Sequence, residues 1–87
     1  MSRLLEDIAE RFDLPADALA GLPRITLTGD RHILIEGRAG LLAYGPELIE
    51  AACGRLHIRV LGQELLLRAM DAEALVVVGK ISAVEME

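Results

Sequence analysis

The stretch Leu56 to Val84, LHIRVLGQELLLRAMDAEALVVVGKISAV, most constrains the fold, because its aliphatic strand signals are broken by glycines rather than by polar loops. The earlier segment ITLTGDRHILI repeats the plan. Aligning Gly29, Gly62 and Gly79 places Ile25, Ile58 and Leu75 four residues before each glycine, and Leu27, Val60 and Val77 two before. A period of two ending in glycine is that of a strand with one buried face followed by a residue that turns or bulges. Gly29 with Asp30, Gly62 and Gly79 are accordingly predicted as structural turns.

The segments around this plan read as short strands. Arg24 to Thr28 and His32 to Glu36 flank the Gly29-Asp30 turn, and Leu41 to Tyr44 follows the break at Gly37 to Gly40. Glu47 to Cys53 permits either a helical turn or a strand, and strand neighbours on both sides favour a strand. Arg55 to Leu61 alternates most cleanly, with Leu56, Ile58 and Val60 inward and Arg55, His57 and Arg59 outward. Glu64 to Met70 is expected to pair back across Gly62-Gln63, and Ile81 to Met86 to close the chain. Leu75 to Val78 is uninterrupted aliphatic sequence, which implies burial on both faces or a subunit contact.

Ahead of the strands, Ser2 caps a predicted helix with Leu4, Leu5, Ile8 and Phe12 on one face. Pro15 stops it near Asp13, and a second turn over Ala16 to Ala20 ends at Gly21 before Pro23. The chain is thus expected to be one domain, with a helical part at residues 1–22 and a β part at residues 23–87. The helix face either plugs the β part or docks a partner. The expected class is mainly β with an N-terminal α-helix, a small antiparallel β-barrel or β-sandwich of about six or seven short strands.

Composition narrows the partners. Apolar residues make up 53% of the 87, yet Phe12 and Tyr44 are the only aromatics. So small a domain has little interior for that many aliphatic side chains, which favours self-association or a protein partner. Fourteen acidic against nine basic residues give a net charge of −5, which disfavours nucleic acid. The lone Cys53 and the acidic N-terminal segment are those of a chain kept in a reducing cytoplasm, and no apolar run approaches the ~20 residues of a membrane span.

No set of residues makes a reaction centre. His32 and His57 would need a third ligand, and Cys53, Asp30 and Glu64 stand at no metal spacing. Cys53 with His57 lacks an activating neighbour for a nucleophile, and GRAG lacks the lysine and serine of a phosphate loop. Glu47, Glu50, Asp71 and Glu73 read as solvated charge, and Tyr44 as a ring over the core edge. Arg55, His57 and Arg59, with Arg68, form a basic stripe expected to pair with Glu64 and its neighbours. No catalytic residue, cofactor or metal is therefore assigned.

The segment Arg24 to Met86 resembles the YabP/YqfC family of small sporulation proteins. The resemblance is carried by LTGD (Leu27 to Asp30), IEGRAGLLAY, LGQELLL and the terminal VVVGKISAVE, and the length and preceding helix suit the YqfC branch. Gly37 departs from the polar residue expected after Ile-Glu. The resemblance implies a non-enzymatic protein made in the mother cell of an endospore former. It would act in cortex or coat development as an adaptor or assembly unit, in the cytoplasm or peripheral at the forespore envelope, with a membrane-bound sporulation protein as a partner. Candidate contact residues are Leu4, Ile8, Phe12, Val76, Val77 and Val78. A rival expectation is an Sm-like ring binding RNA, suggested by the glycine-split closing strands and weakened by acidity and the lack of stacking aromatics.

Overall fold

The computed structural model describes residues 22–87 as six antiparallel strands in one open sheet, ordered β1-β2-β6-β5-β4-β3. The strands are β1 (Arg24–Thr28), β2 (His32–Glu36), β3 (Ala39–Tyr44), β4 (Leu48–Cys53), β5 (Leu56–Met70) and β6 (Ala74–Met86). The expected barrel or two-sheet sandwich is not formed. The outer strands β1 and β3 have no ladder to each other, so the sheet stays open. No helix occurs among the described residues, and the helix expected over the first residues lies outside them.

The second correction concerns glycine. Gly62 and Gly79 are not turns between separate strands, because β5 and β6 run through them for 15 and 13 residues. The two long strands are a hairpin whose register slips between Leu61 and Gly62, Gln63 and Leu66, and Leu67 and Ala69. Each slip is a bulge, and bulges bend and twist the strands that carry them. The extra residue at Glu64, with φ of 53°, switches the inward set of β5 from Ile58 and Val60 to Leu65 and Leu67.

The glycines let the long strands meet at this bend. A Cβ on Gly62 would stand 1.9 Å from the Lys80 carbonyl oxygen, and one on Gly79 2.6 Å from that of Glu64. Only a hydrogen fits at such a distance. Both short hairpins dock their turns here. Gly79 and Ile81 N–H groups donate to the Arg31 and Asp30 carbonyls at 3.2 and 2.7 Å, and those of Gly62 and Leu65 to Glu47 and Pro46 at 3.1 and 2.8 Å.

The bend folds the sheet over a single core. One half holds β1, β2, the start of β6 and the end of β5; the other holds β3, β4, the start of β5 and the end of β6. Ile33, Ile35, Leu75 and Val77 of the first half pack with Ile49, Ala51, Cys53, Ile58 and Val60 of the second. Gly29 and Asp30 do form the predicted turn, with Gly29 at φ of 56°. Leu27, in the same strand, escapes the predicted burial and is 50% exposed, because β1 is an edge strand.

Candidate interaction surfaces

Residues paired across antiparallel strands share a face, so the register assigns every outward side chain. In the half built on β4, the outward rows are Ala43, Glu50, Arg59 and Glu85, then Ala52 and His57, with the aliphatic row Leu48, Leu61 and Ala83 nearest the bend. The rows around Glu50 and Arg59 are charged and internally paired. Glu50 Oε2 lies 3.0 Å from His57 Nε2, and Arg59 lies 3.4 Å from Glu85, 3.2 Å from Glu87 and 3.9 Å from Glu50. Of the basic stripe read from the sequence, His57 and Arg59 pair across strands, with Glu50, Glu85 and Glu87 rather than Glu64, whereas Arg55 falls in the turn before β5 and Arg68 on the other half of the sheet.

The opposite half has a different outer face. Its rows are Thr28, His32, Val78 and Leu66, then Thr26, Leu34, Val76 and Ala69, and at the far end Arg24, Glu36 and Ala74. Leu34, Val76 and Val78 are half-buried and Leu66 is 51% exposed. Open antiparallel sheets usually turn polar residues outward, so an aliphatic centre here is the departure that needs a reason. Within the candidate strand the side chains divide: Val76 and Val78 belong to this face, whereas Val77 is fully buried in the core and offers no surface. Leu4, Ile8 and Phe12 lie outside the described residues. Sequence reading missed Leu34 and Leu66, although each follows from its place one residue from a buried neighbour.

The candidate reactive groups are dispersed. His32 sits on the aliphatic half and His57 on the charged half, and among the described residues no three metal-ligating side chains gather. His32 Nδ1 is buried without a hydrogen-bond partner among the described residues. Cys53 points into the core in the row of Leu56, while His57 points outward, so the two do not meet as thiol and base. Burial pushes the Cys53 thiol above its ordinary value of 9.0, the direction opposite to nucleophile activation. Tyr44 lies over the gap between β3 and the end of β5, where its hydroxyl oxygen accepts from the Leu67 N–H at 3.4 Å. No helix of the described residues is long and apolar enough to cross a membrane.

These features define an open, bent β module with a paired charged cluster on one outer face and an aliphatic centre on the other. The chain is similar to the protein named Uncharacterized protein YqfC of Bacillus subtilis (strain 168), at 26% identity over 83 residues, covering 95% of this chain and 89% of that one. No protein-family model matches the chain. No solved structure matches it either.

Proposed function

We propose that the chain is a non-enzymatic contact module that works in spore-envelope development, in the mother cell, as an adaptor or assembly unit. The aliphatic outer face formed by Leu34, Val76, Val78 and Leu66 carries the mechanism. Burying such a face is worth about 25 cal/mol per Å² of apolar surface, and the charged half keeps the module apart from other surfaces. The process is supported by the resemblance of the LTGD, LGQELLL and VVVGKISAVE segments to sporulation proteins and by the similarity to YqfC. A membrane-bound sporulation protein is a partner of fitting chemistry, provided that it presents an apolar surface.

RNA binding fits less well, since Glu50, Glu85 and Glu87 surround the outward Arg59 and His57 and neutralise that stripe. The spore reading is tested by deleting the gene in the organism that carries it. The expected result is a fall in heat-resistant spores with unchanged vegetative growth, and an unchanged spore count would overturn it.

A further inference from the structure

Among the described residues only one side of β1 is paired, and β1 borders the half that carries the aliphatic face. Exposed edges are commonly blunted by bulges, charges or prolines within the strand. The other open edges have such devices. β3 slips between Leu41 and Ala43, the end of β5 carries a slip and Arg68, and the end of β6 carries Glu85. β1 carries Arg24 at its first position, but from Ile25 to Thr28 it has no charge, proline or register slip, and Pro23 stands just outside it. Leu27 pairs with the fully buried Ile33 in the inward phase, yet is 50% exposed. An inward side chain half in water marks the place of a missing next strand.

The strand RITLT complements itself. Antiparallel pairing about a two-fold axis at Thr26 sets Thr26 against Thr26 of a second copy, Ile25 against Leu27, and Arg24 against Thr28. Ile25 and Leu27 share the inward phase, so the apolar row through Leu67, Val77, Ile33 and Leu27 continues into the second copy. Threonines face each other on the outside, a favourable cross-strand pair. Centring the axis on Ile25 would set Leu27 against Pro23, and centring it on Leu27 would set Ile25 against Gly29. The Thr26 register alone pairs every residue of the strand.

We infer that the chain forms a two-fold dimer by antiparallel pairing of β1 with β1 of a second copy, joining two six-stranded sheets into one. This deepens the contact-module reading by naming one partner, and it brings the two aliphatic outer faces side by side on a continuous surface. A five-residue seam is smaller than a standard interface, so the dimer dissociates on dilution.

Light scattering on the purified full chain tests this without reference to spores. The mass should rise with concentration from 9.4 kDa toward twice that value. Thr26→Glu and Thr26→Lys each place like charges on the axis and should weaken the dimer about fivefold or more, while their equimolar mixture should restore it. A mass of 9.4 kDa at every concentration would overturn the proposal, as it would if residues 1–21 cover β1 instead. Dimers of undiminished strength in both charged variants would overturn it equally, by placing the contact elsewhere. Should the charged variants not fold, Thr26→Cys decides. Mild oxidation should link it into a dimer while the wild type, whose Cys53 is buried, stays unlinked, and failure to link would refute the β1 pairing.

Discussion

Two glycines hold the long hairpin together at the residue scale. Gly62 and Gly79 each lie against a backbone carbonyl of the opposite strand, which no side-chain rotation can relieve. Gly62→Ala and Gly79→Ala should each destabilise the protein by about 3 kcal/mol or more, as overpacking against a rigid backbone does. Gly40→Ala, with nothing within 4 Å of its added Cβ, should change stability by less than about 0.5 kcal/mol. Urea unfolding of the three variants checks the contrast, and equal losses would contradict the bend. Cys53 gives a second test at this scale. Its folded thiol value lies above 9.0, so the unfolded chain releases the proton first as pH rises. Its contribution is therefore fully present below about pH 9 and lost through the alkaline window above. A thiol-reactive disulfide should label Cys53 at pH 8 only at the rate at which the chain opens, whereas labelling as fast as a free thiol would contradict its burial.

At the scale of elements, the tip joining β5 to β6 is closed by one carboxylate. Asp71 Oδ1 accepts from the Glu73 and Ala74 N–H groups at 2.7 and 2.9 Å. Asp71→Ala should cost about 1 kcal/mol and speed amide exchange over Met70 to Leu75 first, which hydrogen-exchange measurements would reveal. The strands themselves were legible in the sequence wherever a polar turn bounded an alternating run. β1, β2 and β4 stand where the pattern placed them, and Ile58 and Val60 alternate inward against His57 and Arg59. The continuity of β5 and β6 was not legible. Gly62-Gln63 and Gly79-Lys80 have the chemistry of a turn, and only contact with a strand distant in sequence decides between a turn and a bulge. For the same reason the partners of Arg59 were out of reach, since Glu85 and Glu87 arrive beside it only through the β5 to β6 register.

Considered as a whole, the described part of the molecule gathers paired charges around Arg59 on one half and an aliphatic centre of Leu34, Val76, Val78 and Leu66 on the other. Leu42, Tyr44 and Met86 leave apolar surface on the first half too. The run of Leu75 to Val78 announced burial on both faces or a subunit contact, and the sheet resolves it into two core residues, Leu75 and Val77, alternating with the outward Val76 and Val78. Whether the sheet closed was not written in that alternation, because closure depends on β1 and β3 meeting, and bulges set how far each half turns. Among the described residues the open result leaves an edge uncharged from Ile25 to Thr28 beside an aliphatic centre, an arrangement suited to assembly. The most direct test of that account is to count heat-resistant spores in the organism carrying Leu66→Glu at normal protein level. Leu66 is 51% exposed, so the variant should fold with an unchanged unfolding midpoint. The account expects the spore count to fall as it does on deletion of the gene, and a wild-type count from a folded Leu66→Glu protein would contradict it.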